Sequence, residues 1–317
     1  MRVVIPGGSG QVGRILERAL TAAGHEVVIL SRRPRGPGVL AWDGRTLGSW
    51  ASVIDGAGAV VNLTGRSVNC RYTRANLEAM MASRVDSTRV VGEAVARAAR
   101  PPRVWLQMST ATIDAHTFGP AHDESSGVIG GGEPGAPAYW SRSVEIAKAW
   151  EREQQDAKTP STRKVALRTA MVMSPDRAGI FDVLLGLTRR GLGGAAAGGR
   201  QYVSWIHERD FARAVELLIA REDLSGPFNL SSPNPLPQRE LMSELRRASA
   251  VRVGLPATGW MLEIGAFLLR TDTELLLKSR RVVPGRLLAS GFVFQLPQWR
   301  AAVDDLVRRW REARRSD

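Results

Sequence analysis

The sequence predicts an α/β fold: a doubly wound parallel sheet followed by a small, mainly helical C-terminal domain. Three observations carry this. Short apolar, β-branched runs alternate with amphipathic helical patterns as far as residue 230. The first of these runs breaks into Gly7, Gly10 and Gly13 just before the first helical pattern. From Ser231 onward the alternation stops and helical patterns dominate.

Residues 1–6 read as a strand, and the amphipathic run at 14–23 as the helix that follows the glycines. Strand, glycine turn and helix start together form the first half of a dinucleotide-binding βαβ unit of Rossmann type. Gly7 lets the chain turn out of the strand, Gly10 lets backbone N–H groups reach a pyrophosphate, and Gly13 lets the helix lie close to the sheet. Phosphates would then sit on the open N-terminus of that helix. The second strand, 25–30, ends in Ser31-Arg32-Arg33-Pro34, about twenty residues after the glycines. An acid at that point would select NAD through the ribose 2′-hydroxyl. Two guanidiniums instead point to NADP(H), with Arg32 and Arg33 on the 2′-phosphate, although they are also readable as solvated arginines.

A third strand at 39–42 ends at Asp43-Gly44, where Asp43 is placed either to meet an adenine amino group or simply to make a turn. The fourth strand, 58–63, breaks at Thr64-Gly65, so residues 62–65 should run beside the cofactor, because strand carboxyl ends line the crevice. A long helix is expected over 73–99. Its Met and Val stripe belongs to the core, and Arg84 is a candidate phosphate or ribose contact. The fifth strand, 104–108, ends in Ser109-Thr110-Ala111-Thr112, hydroxyls placed to hold a substrate oxygen. Residues 116–137 form a long loop, 139–157 a helix, 164–172 a strand and 180–190 a helix. The stretch 191–199 has five glycines and three alanines and suits a lid or a linker equally. Residues 200–207 lead to Asp210 and a helix over 211–220, then a strand at 228–230. A last helix covers 298–312. The domain division is therefore 1–230 for the cofactor, with a lid-like insertion at about 174–200, and 231–317 on the substrate side.

The chain of 317 residues is 44% hydrophobic and 24% charged, as in globular proteins. Cys70 is the only cysteine, the four histidines have no ligand spacing, and no apolar run approaches the ~20 residues of a spanning helix. These features predict a cytoplasmic protein with no metal and no membrane partner, compatible with a homodimer. The formal charge of +13 raises the question of nucleic acid. The basic residues are nearly all arginine, are spread along the chain and lack interleaved aromatics, so a nucleic-acid partner is not expected.

The glycine turn, the Ser109-Thr110 strand end, Tyr139 and the 202–207 segment resemble the extended short-chain dehydrogenase/reductase superfamily. More narrowly, the chain is similar to NAD(P)-dependent epimerase family proteins with a small C-terminal domain of unknown function. That likeness rests on Val61-Asn62-Leu63-Thr64-Gly65, Ser83-Arg84, Ala149-Trp150-Glu151, Leu167-Arg168-Thr169, Gly199-Arg200-Gln201 through His207, Gly226-Pro227-Phe228-Asn229 and Arg281-Val282-Val283-Pro284, and it covers residues 2–310. The resemblance implies a cofactor set of Gly7, Ser9, Gly10, Gln11, Val12, Gly13, Arg32, Arg33, Asp43, Asn62, Leu63, Thr64, Gly65, Arg84 and Met108. Ser109 and Tyr139 would be catalytic, and Thr110, Arg168, Gln201, Trp205 and His207 would lie on the substrate side. The chain also departs from the superfamily, where a lysine one helical turn after the tyrosine assists it. Here Ser143 stands at that position, and Lys148, nine residues after Tyr139, is about 180° around the helix. Tyrosine ionises near pH 10 unaided, so the dyad is incomplete. The leading reading is an NADP-dependent oxidoreductase or epimerase acting on a carbinol or carbonyl carbon of a small molecule. The alternative is a catalytically silent NADP(H)-binding sensor or regulatory protein.

Overall fold

A computed structural model describes residues 1–134, 136–137, 139–258 and 274–315. Part of the expected C-terminal domain, residues 259–273, lies outside them. The first strand β1 (Arg2–Pro6) leads through the glycine turn into α1 (Gln11–Ala22), and then come β2 (Glu26–Ser31) and β3 (Val39–Ala41). The chain continues through β4 (Ala59–Asn62), α2 (Arg74–Arg97), β5 (Val104–Thr110), α3 (Trp140–Asp156) and β6 (Arg163–Thr169). Next are β7 (Met171–Met173), α4 (Ile180–Arg189), β8 (Tyr202–Val203), β9 (Trp205–His207), α5 (Glu208–Ala220) and β10 (Gly226–Leu230). After these come β11 (Leu236–Pro237), α6 (Gln238–Ser249), α7 (Glu274–Leu277), α8 (Gly285–Ala289) and α9 (Trp299–Arg315).

Seven strands form one parallel sheet in the order β10-β6-β5-β4-β1-β2-β3. The order reverses between β1 and β4, so the crevice of a doubly wound sheet opens there. Strand alternation fills both faces. Val3 and Ile5 pack with Leu16, Phe211 and Leu218 of α1 and α5, while Val4 packs with Trp42, Trp50 and Val91 on the α2 side. A third core joins Phe181 and Leu185 of α4 to Trp205, Leu241, Trp299 and Leu306, which fastens α6 and α9 to the sheet domain. Each large side chain buried there contributes about 1.5–3 kcal/mol.

The structure corrects several boundaries. The strand expected over 164–172 is two strands. Beyond Thr169 the N–H of Ala170 donates to the Leu230 carbonyl and that of Met171 to the Ser204 carbonyl, so β7 leaves the main sheet and pairs with β9. The helix expected from 211 begins at Glu208, because His207 caps it: its Nδ1 accepts from the Arg209 N–H. Asp210 instead accepts from the N–H groups of Gln295 and Leu296, 2.8 and 2.9 Å away, and ties down the approach to α9. The glycine-rich 191–199 loop lies against 254–257, with Ala197 N donating to the Ala257 carbonyl and Ala257 N to that of Ala195. The short strand β11, paired with β8, has too little pattern to be seen in the sequence.

Candidate functional site

A cavity of about 570 Å³ opens at the β1/β4 switch point. Its outer end is the glycine turn. Gly7 has φ +75°, and a Cβ there would lie 2.8 Å from the Thr64 backbone. A Cβ on Gly13 would lie 2.0 Å from the Gly8 carbonyl oxygen, whereas one on Gly10 would meet nothing within 4 Å. Among the described residues the N-terminus of α1 has no side-chain cap and no acid in its first turn, which leaves its first N–H groups uncapped. Gln11 Nε2 and Thr64 Oγ1 are also buried without partners among the described residues. Open space, free donors and a helix dipole suit the pyrophosphate of a dinucleotide. Gln11, Val12, Leu63, Gly65 and Met108 also line the cavity.

Asn62 is buried behind this wall. Its Nδ2 donates to Gln107 Oε1 and its Oδ1 accepts from Thr64 N, which shapes the turn that carries Gly65. At the end of β2, Ser31 Oγ lies 3.2 Å from Ser9 Oγ and accepts from Arg33 N, joining that strand end to the glycine turn. Arg32 and Arg33 are exposed beside it, and Ser31 rather than an acid closes the strand. Asp43 makes a turn: its carboxylate accepts from the N–H groups of Arg45 and Thr46 and from the Thr46 hydroxyl. The Thr46 hydroxyl is the main reason its carboxyl falls to about 2.

The inner end is assembled from side chains. Ser109, at the end of β5, is buried and donates to Glu151 Oε1 at 2.6 Å. Glu151 is held by both arms of Arg168, at 3.0 and 2.9 Å. Arg168 is therefore a support behind Ser109. With its proton committed to a carboxylate, the Ser109 hydroxyl has only lone pairs left and can accept from a ligand hydroxyl. Thr110 Oγ1 accepts from Thr112 N and caps the turn after β5. Asp114, in the same turn, is buried with both carboxylate oxygens unpartnered among the described residues, and burial raises its carboxyl to about 7.

Helix α3 turns Ser143, Ile146, Ala147 and Trp150 toward the cavity. Tyr139 precedes the helix, is 43% exposed and lies outside this lining. Of the two residues expected to be catalytic, Ser109 lines the cavity and Tyr139 does not, because the inward face of α3 begins one turn later. Ser143 Oγ donates to Glu274 Oε2 at 2.6 Å, and Lys278 Nζ donates to the Thr112 carbonyl. Beyond Lys278 a strap, 278–283, is threaded between β8 and the loop after β5. Arg280 N donates to the Tyr202 carbonyl, Val282 N to Ser204 Oγ, and His122 N to the Arg281 carbonyl. The strap delivers Arg280 into the cavity wall, where its Nε donates to Thr112 Oγ1. Arg84 enters from α2, with its guanidinium 4.8 Å from the Trp150 ring and beside Gly65.

Three expected substrate-side residues lie outside this cavity lining, Trp205 in the third core and the other two on polar partners of their own. Gln201 is buried and donates to the Ala196 carbonyl, Trp205 stacks edge-on against Trp299 and donates to the Asn234 carbonyl, and His207 Nε2 meets Asp305 Oδ2 of α9. In contrast, Glu151 and Arg280 are site residues to which the sequence reading assigned no role. The available signal for Glu151 was a charged residue one position after Trp150, on the edge of an otherwise apolar helical stripe. Nothing local marked Arg280. Among the described residues, no three His, Cys, Asp or Glu side chains group as metal ligands would, and no helix is long and apolar enough to cross a membrane.

Comparison with known proteins agrees with this geometry. Residues 3–231 match the NAD dependent epimerase/dehydratase family, and residues 257–306 match a domain of unknown function, DUF1731. The human epimerase family protein SDR39U1 is 29% identical over 311 residues, covering 97% of this chain and all of that protein. A Mycobacterium bovis epimerase family protein is 31% identical over 297 residues, covering 92% of this chain and 93% of its own length. The crystal structure of human SDR39U1 (isoform 2) with NADPH superposes with a TM-score of 0.85 at 27% identity, covering 97% of this chain and 99% of that one.

Proposed function

The chain belongs to the NAD dependent epimerase/dehydratase family, and from that premise we propose that it binds NADP(H) and performs redox or epimerase-type chemistry at a carbinol or carbonyl carbon of a small molecule. The observation that carries the reading is the pairing, across one cavity, of an uncapped helix N-terminus with a serine whose proton is held by a buried carboxylate. Residues 1–230 hold the cofactor and 231–317 complete the substrate side. When bound, the nicotinamide supplies or accepts hydride. Arg32 and Arg33 hold the 2′-phosphate, and a relative solved with NADPH supports that choice. In the oxidising direction Ser109 Oγ takes the substrate hydroxyl proton as its own proton passes to Glu151 Oε1, with Arg168 fixing that carboxylate. This relay replaces the role expected of Tyr139.

The silent-sensor reading keeps one supporting observation: the face that α3 turns to the cavity carries Ser143 and Ala147, neither a tyrosine nor a lysine. Calorimetric titration with NADPH and NADH tests the cofactor assignment. NADPH should bind at least tenfold more tightly, and replacing both Arg32 and Arg33 by alanine should weaken it by about tenfold to a hundredfold, with NADH unchanged. Equal affinities in the parent would remove NADP(H) from the reading.

A further inference from the structure

Charge in the cavity wall is one-sided. The lining includes Arg66, Arg84 and Arg280 and, among the described residues, no aspartate or glutamate. Arg84 is 8% exposed, and burial lowers its guanidinium to about 10, which leaves it charged at neutral pH. Of its five N–H donors, one is used among the described residues, on the Met80 carbonyl at 3.1 Å, while the Trp150 ring covers one face. Burying a guanidinium with so few partners is costly unless an anion completes it. Arg280 comes to the same wall from the far end of the sequence, oriented by Thr112 Oγ1, with Glu274 and Lys278 behind it. The phosphates of a dinucleotide already have the N-terminus of α1. A cavity of about 570 Å³ takes one molecule of drug size, so what remains beside a nicotinamide is small.

Resting on the reading above, we propose that the substrate is a small oxyanion-bearing molecule, a carboxylate or a phosphate ester, whose anionic group binds between Arg84 of α2 and Arg280 of the strap. The two arginines set which substrates are accepted. Ser109 and Glu151 act on the neighbouring hydroxyl.

The test uses the full chain saturated with NADPH, titrated with inorganic phosphate and, separately, malonate, against sodium chloride at matched ionic strength. Calorimetry and the fluorescence of the bound NADPH follow binding. At least one oxyanion should bind saturably alongside NADPH with a Kd of about 1 mM or tighter. Tighter phosphate indicates a phosphate ester, and tighter malonate a carboxylate. Arg280→Met and Arg84→Met should each weaken that binding about tenfold to a hundredfold, while Arg280→Lys, which keeps the charge, should retain part of it. Thermal melts establish that each variant is folded. The proposal is overturned if neither oxyanion binds the NADPH complex, if both methionine variants bind like the parent, or if phosphate acts only by displacing NADPH. Failure of the parent to bind NADPH at all would instead overturn the reading on which the proposal rests.

Discussion

At the outer end of the crevice the working groups are backbone: the turn from Gly7 to Gly13 and the open N–H groups of α1, all within a few positions of one another in the chain. At the inner end they are side chains, Arg84 from α2, Ser109 from β5, Glu151 from α3 and Arg280 from the strap, and each is held by a residue from another element. The outer end therefore refuses added volume at Gly7 and Gly13, leaves open space over Gly10, and carries little buried charge of its own. The inner end holds buried charge, paired where Arg168 meets Glu151, and a change at that pair acts through whichever partner is left behind.

The largest expected effect comes from separating the two ends. Glu151→Ala leaves Arg168 largely buried without its carboxylate and Ser109 without its acceptor, and losing one partner of such a pair costs about 3–5 kcal/mol. Urea unfolding should register this loss, while the protein that remains folded in the cold should bind NADPH within about threefold of the parent. Gly13→Ala is the converse. Its Cβ would meet the Gly8 carbonyl, where backbone must move, so overpacking costs about 1–3 kcal/mol and NADPH binding should fall far more than stability does. If Glu151→Ala abolishes NADPH binding, or Gly13→Ala spares it, the two ends are not separately built.

This difference also explains what was legible. The sheet and the glycine turn follow from short-range patterns, so β1 and β2 lie within one residue of where periodicity puts them, while α1 begins three residues earlier than its apolar pattern suggests. Tyr139 is named by resemblance, and a 3.6-residue period reveals that a helix has an inward face but not which residues begin it. The packing of α3 on β5 and α2 chooses 143, 146, 147 and 150. Trp205 and His207, expected on the substrate side, meet Trp299 and Asp305, partners too distant in the sequence to leave a local trace. Arg280 meets Thr112 across 168 residues of sequence, a pairing with no local trace.

The smallest expected effect sharpens the comparison by asking whether charge at the inner end is strained. Asp114 is 2% exposed, both its oxygens lack partners among the described residues, and burial raises its carboxyl to about 7. An unfolded aspartate ionises near 3.9. Between that value and about 7 the native chain holds a proton the unfolded chain has released, so this group's contribution to stability falls as pH rises through the window and levels off above it. An asparagine has no proton to lose there. Asp114→Asn should thus be more stable than the parent at pH 8, and the advantage should shrink steadily toward pH 5. Because the amide still lacks partners in the same place, the net gain at pH 8 should be about 1 kcal/mol. Thermal melts of both proteins from pH 5 to 8 read the result. A difference that stays flat with pH would mean that Asp114 finds a partner in solution, and the buried charge of the inner end would then be balanced at this position too.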